Sequence, residues 1–83
     1  FTQAARKHKI GKARVVYVMC NSYVVAELSG PPDGEQRYLF LGDDHTGRAI
    51  EVVAIEQNNQ WLILHAMDLR AKFKAIYEQG KMP

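Results

Sequence analysis

The chain reads as an α+β domain: N-terminal helices, a four-stranded, mainly antiparallel sheet, and a C-terminal helix. Three observations predict this. Four short apolar runs follow one another between residues 23 and 67, separated by brief Gly-, Pro- and Asn-rich turns, as in a meander. An amphipathic stripe of Leu69, Phe73, Ile76 and Tyr77 recurs at helical spacing near the end. With 83 residues, 47% of them apolar, the chain suits one core and not two, so residues 1–83 are read as a single domain.

Thr2 to Lys9 is predicted as a first helix, with Thr2 as its N-cap. After Gly11, Lys12 to Cys20 follows as a second, on the helical spacing of Ala13, Val16, Tyr17 and Cys20. Its valines weigh against helix through lost rotamer freedom. Asn21 and Ser22 mark its end. The strands are predicted at Tyr23–Leu28, Arg37–Gly42, Arg48–Glu56 and Trp61–Met67. Gly47 serves a positive-φ turn position, and Gln57 to Gln60 form a hairpin loop. The final helix is placed at Leu69–Gln79, capped by Asp68 and ended by Gly80. The helices are expected on one face of the sheet, leaving the other partly open.

Charge is unevenly spread. Residues 1–20 carry Arg6, Lys7, Lys9, Lys12 and Arg14 and no acid. Residues 21–68 carry eight acids against Arg37 and Arg48. Residues 69–83 carry Arg70, Lys72, Lys74 and Lys81 against Glu78. Basic ends suit a polyanion and an acidic middle suits a basic partner. A lone Cys20 excludes an internal disulfide and is read as a small buried hydrophobe near a helix end. No apolar run approaches the roughly 18–20 residues of a membrane span, and a cytoplasmic location is expected. The chain starts on Phe1, so further residues are expected before it in the natural product.

His8, His45 and His65 lack metal-ligand spacing, so no metal is expected. No phosphate-binding glycine loop, dinucleotide fingerprint or serine elbow is present, so no cofactor is expected either. His8 lies within Arg6-Lys7-His8-Lys9, where neighbouring charge favours a neutral base; the alternative is a solvated basic surface. The two-residue strand period puts His65 on one face with Trp61, Ile63 and Met67, as a proton-transfer group or a hydrogen-bonded structural residue. His45 is read as a surface turn residue. Glu35 and Arg37 stand together at a strand entrance, read as an exposed ion pair or, functionally, as an arginine that takes a phosphate in bidentate fashion. Arg70 and Lys74 are one helical turn apart, with Lys72 on a neighbouring face.

These stretches, taken in order, resemble the BrnT-like toxins, a branch of the RelE-type ribonuclease fold. Lys7-His8-Lys9-Ile10 is similar to that family's lysine-histidine-glycine-isoleucine helix end. Gly34-Glu35-Gln36-Arg37 resembles its strand opening, and Gly42 with Gly47-Arg48 its hairpin. Leu62 to Phe73 is similar to the last strand and helix of an actinobacterial-style variant. The resemblance spans about Ala4 to Glu78. It implies a toxin of a type II toxin–antitoxin system that cleaves RNA without a metal, the 2′-hydroxyl attacking the adjacent phosphate.

The partners implied are a cognate antitoxin and RNA, with ribosome association and a toxin homodimer within a heterotetramer as candidate arrangements. Arg37, His8, His65, Glu35 and Arg70 are the candidate catalytic residues. Lys7, Lys9, Lys12, Arg48, Lys72 and Lys74 are the candidate RNA ligands. The chain departs from the family where Met67-Asp68 replaces an arginine-lysine pair, and the family's tryptophan-rich first strand is missing. Arg70 and Lys72 are then the cations available to replace that pair. The alternatives are an RNA- or ribosome-binding module without catalysis, or a degenerate toxin kept for antitoxin binding.

Overall fold

The computed structural model describes residues 11–28 and 36–82. The predicted helix Thr2–Lys9, His8, Lys7, Lys9 and Glu35 lie outside the described residues. The elements run α1 (Lys12–Cys20), β1 (Val24–Leu28), β2 (Arg37–Asp43), β3 (Ala49–Gln57), β4 (Gln60–Asp68), a 3₁₀ turn (Ala71–Phe73) and α2 (Lys74–Lys81). The sheet is an antiparallel meander in the order β1-β2-β3-β4. Its two tight turns follow from composition. Gly47 takes φ +90° between β2 and β3, and Asn58 and Asn59 both take positive φ between β3 and β4.

One helix covers each face, which corrects the expectation of helices on one face. On the first face, Val15 and Val18 of α1 pack on Phe40, Ile50, Val52, Ala54, Ile63 and Ala66. On the second, Tyr77 of α2 packs with Leu39 and Leu41, joined by Val24, Leu28, Ala49, Val53, Leu69 and Phe73. Alternation along β2 and β3 feeds both cores at once, because successive side chains point to opposite faces.

The buried side of α1 is Val15 and Val18, with Met19 half-buried, whereas Ala13, Val16, Tyr17 and Cys20 are exposed. The predicted stripe was therefore the solvent side. Valines that disfavour helix locally are retained because tertiary burial outweighs a propensity cost of well under 1 kcal/mol each. Cys20, read as buried, is exposed. Asn21 Nδ2 donates to the Tyr17 carbonyl (2.9 Å) and Ser22 Oγ to that of Val18 (2.7 Å), which closes the helix end.

The C-terminal helix starts later than predicted. Leu69 and Arg70 are non-helical, and Arg70 is extended at φ −84°, ψ 153°. Asp68 ends β4 and pairs with Arg48, so it does not cap the helix. Gly80 lies inside α2 and does not terminate it. A β-carbon at Gly80 would collide with Val24 Cγ2 and sit 2.9 Å from the Tyr23 carbonyl oxygen, so glycine lets α2 lie against β1. Ile76, predicted in the apolar stripe, is exposed.

Candidate functional site

The register of β4 decides what His65 can reach. Ala54 pairs with Ile63 and Val53 pairs with His65, so Leu64 is an extra residue, a bulge. Each residue beyond a bulge changes face. Trp61 and Ile63 therefore lie on the α1 face, and His65 and Met67 on the α2 face. The expectation that His65 shares a face with Trp61 and Ile63 fails for this reason.

On the α2 face His65 meets Glu51, whose side chain is fully buried in the middle of β3. His65 Nε2 lies 3.1 Å from Glu51 Oε2. Arg70 approaches the same carboxylate from beyond β4. Its backbone N–H donates to Oε1 at 2.9 Å, its Nε lies 3.1 and 3.0 Å from the two oxygens, and Nη2 donates to Oε2 at 2.7 Å. The extended backbone at Arg70 turns both its amide and its guanidinium toward Glu51. Burial pushes the Glu51 carboxyl up, but the Arg70 hydrogen bonds and charge, with the bond to His65, outweigh this and hold it below its ordinary value. Arg70 is held charged in return, since its hydrogen bonds to Glu51 outweigh desolvation.

The arrangement leaves His65 and Arg70 partly open to solvent, with side chains 25% and 40% exposed, above a carboxylate that is 0% exposed. Next to them, Phe73 has Arg70 Cζ 5.4 Å and Lys72 Nζ 5.0 Å from its ring centre. Lys74 follows, exposed, at the start of α2. The result is a half-exposed imidazole and guanidinium fixed on one anion, with two more cations close in sequence.

The other nominated residues fall elsewhere. Arg37 is exposed at the start of β2, opposite Ile55 and Leu28. It shares the α2 face with His65, at a Cα separation of roughly 12 Å from strand spacing and rise. Arg48 donates to Asp68 through Nε and through Nη2 at 2.8 Å, an exposed pair at the hairpin end. Lys12 begins α1 and lines a cavity on the opposite face. Among the described residues no group of three or more His, Cys, Asp or Glu side chains could hold a metal ion.

Glu51 is the residue that sequence reasoning missed. Its signal was available: a single acid inside the apolar run Ala49-Ile50-Glu51-Val52-Val53 must find a partner if that run is buried.

A second buried carboxylate, Asp44, closes the β2–β3 turn. Its Oδ1 accepts from Thr46 N (2.8 Å), Thr46 Oγ1 (2.6 Å) and Arg48 N (3.0 Å). Its Oδ2 is buried without a hydrogen-bond partner among the described residues, and Arg14 Nε stands 3.8 Å away. The Thr46 hydroxyl foremost, then the backbone N–H groups and Arg14, hold the Asp44 pKa down to about 2 against the effect of burial.

No protein-family model matches the chain, and neither a curated protein nor a solved structure is similar to it. No helix among the described residues is long and apolar enough to cross a membrane.

Proposed function

We propose that this domain is an RNA-engaging toxin of a type II toxin–antitoxin pair, acting in the cytoplasm, and that the His65–Glu51–Arg70 cluster is its reaction site. One observation carries the reading. His65 from β4 and Arg70 from beyond the strand meet on the buried carboxylate of Glu51, and Lys72, like Arg70, lies over the Phe73 ring. Metal-independent RNA cleavage needs a proton-transfer group and a fixed cation beside one phosphate.

In this reading the His65 imidazole accepts the proton of a ribose 2′-hydroxyl. The oxygen bonds to the adjacent phosphorus to form a 2′,3′-cyclic phosphate, the P–O5′ bond breaks, and the leaving 5′-oxygen takes a proton from water. Arg70 opposes charge building on the phosphoryl oxygens. Glu51 touches no substrate and acts by positioning the other two. Arg37, on the same face, takes a flanking phosphate.

The test is cleavage of mixed RNA by purified protein in the presence of a chelator. His65→Ala is expected to lower the rate at least 100-fold and Arg70→Lys at least tenfold, while Arg37→Ala mainly weakens RNA binding. An unchanged rate in His65→Ala would remove that residue from the chemistry.

A second reading, RNA or ribosome binding without cleavage, is favoured by one feature: the Arg70 charge is already matched by Glu51. It predicts salt-dependent RNA binding by the intact protein with no product formed.

A further inference from the structure

The α1 face of the sheet is only half covered by α1 among the described residues. The C-terminal end of the helix sits against Gly42, where a β-carbon would lie 3.3–3.4 Å from backbone atoms of Val18, Asn21 and Ser22. At the other end of the same face stand Tyr38, Phe40 and Trp61, with Trp61 edge-on to both rings at 5.5 and 5.2 Å. Val25, opposite Phe40, shares that face. Three large apolar side chains there are open to solvent: Val16 50%, Val25 58% and Trp61 43%. Between α1 and Trp61 runs a cavity of about 380 Å³, lined by Val15, Val16, Met19, Cys20, Phe40 and Ile63, with Lys12 at its rim. Isolated exposed apolar residues are ordinary, but a contiguous set around a cavity marks a contact surface.

The charges around this surface decide what fits it. Glu27 is paired across the sheet with Tyr38, and Glu56 with Trp61, so both exposed glutamates belong to this face. They flank the apolar centre, with Cα atoms roughly 12 Å apart by strand spacing and rise. Among the described residues, a phosphate backbone laid here would meet two like charges against the one cation Lys12, which disfavours RNA. A helix with an apolar stripe and lysines or arginines beside it meets the opposite: aromatic and aliphatic contacts at the centre and a carboxylate on each flank.

We infer that the α1–Trp61 face is a docking site for a basic amphipathic helix of a partner protein. Its apolar stripe enters the cavity, its cations pair with Glu27 and Glu56, and an acidic residue at its other end meets Lys12. The inference stands on a different face from the His65 cluster and does not rest on the RNA reading.

The test uses two labels that the chain supplies, its single tryptophan and its single cysteine, both lining the cavity. The probe is a 14-residue synthetic helix with leucine at i, i+3, i+4 and i+7 and lysine elsewhere; its counterpart carries glutamate in place of lysine. The lysine peptide is expected to shift Trp61 emission to the blue and slow reaction of Cys20 with a thiol reagent at least fivefold. Glu27→Lys with Glu56→Lys should weaken that peptide at least tenfold and strengthen the glutamate peptide. RNA cleavage by the same double variant should be unchanged, which separates this inference from the nuclease reading.

Four results would overturn it. One is equal affinity before and after charge reversal. Another is Cys20 reactivity indifferent to peptide. A third is stronger protection of Cys20 by an RNA oligonucleotide than by the lysine peptide. The last is binding that occurs only after removal of residues 1–10, which would make the chain's own segment the occupant.

Discussion

Glu51 and Asp44 are both carboxylates with fully buried side chains in or beside the central strands, and they are satisfied in opposite ways. Glu51 receives hydrogen bonds on both oxygens from side chains distant in sequence, and on Oε1 also from the Arg70 backbone N–H. Asp44 receives all of its hydrogen bonds on one oxygen, from residues two and four positions along. Local satisfaction is the mark of a turn former, since an aspartate bonding to the next few backbone amides holds its own loop. Non-local satisfaction ties β3, β4 and the approach to α2 together, and it leaves an imidazole and a guanidinium fixed at the surface. That contrast separates a structural acid from one that builds a site.

The largest effect should come from removing the cation at Glu51. Arg70→Ala leaves a buried carboxylate with His65 as its one remaining side-chain partner. It should cost about 3 kcal/mol, the lower end for a broken buried pair because the Arg70 side chain is 40% exposed. Urea unfolding measures this. Arg70→Lys should recover part of the stability but not the bidentate geometry, and so less of the activity.

Removing the local latch comes next. Asp44→Ala should lower the melting temperature by less than Arg70→Ala does, while leaving RNA cleavage within twofold. Asp44→Asn, which keeps an acceptor oxygen for Thr46 and Arg48, should restore most of the loss. Equal damage to cleavage from Asp44→Ala and Arg70→Ala would erase the distinction between the two acids.

Acid titration sharpens it further. Both carboxylates have folded pKa values below their ordinary ones, so each contributes stability that is complete above the ordinary value and is lost as pH falls through the folded value. For Asp44 that window runs from its ordinary 3.8 down to about 2. Asp44→Asn should flatten the fall in stability between those limits, leaving the portion due to Glu51 and to Asp43, whose carboxyl burial pushes up but hydrogen bonds from Tyr77 and Lys81 hold below its ordinary value. The smallest effect should come from Arg14→Ala. Its 3.8 Å approach to Asp44 is an ion pair without a hydrogen bond and should leave the melting temperature nearly unchanged.

Structure that is locally determined is legible in the sequence. Lys12–Cys20 has the predicted bounds, and each strand lies within one residue of its expected ends, because glycine, asparagine and apolar runs act over a few positions. Reading failed where one residue changes the meaning of those around it. The Leu64 bulge reverses the face of His65, and no alternation pattern encodes an inserted residue. In α1 the valines that weaken a helix on its own are the ones buried, since the sheet and not propensity chooses the face. Of the candidate cluster, His65 and Arg70 stand out in the sequence by their chemistry, whereas Glu51, the acid that joins them, is one of eight acids in the middle segment and its pairing is set by register.

The most direct test of the account is where RNA touches the folded protein. A short RNA with a 2′-deoxy residue at the cleavable position blocks the reaction while preserving binding. Titrated against isotope-labelled protein and followed by NMR, it should shift the Arg70 Nε–H and the His65 ring most, then Lys72 and Lys74. Shifts confined to the α1–Trp61 face, or Arg70 and His65 signals unmoved at saturation, would contradict it.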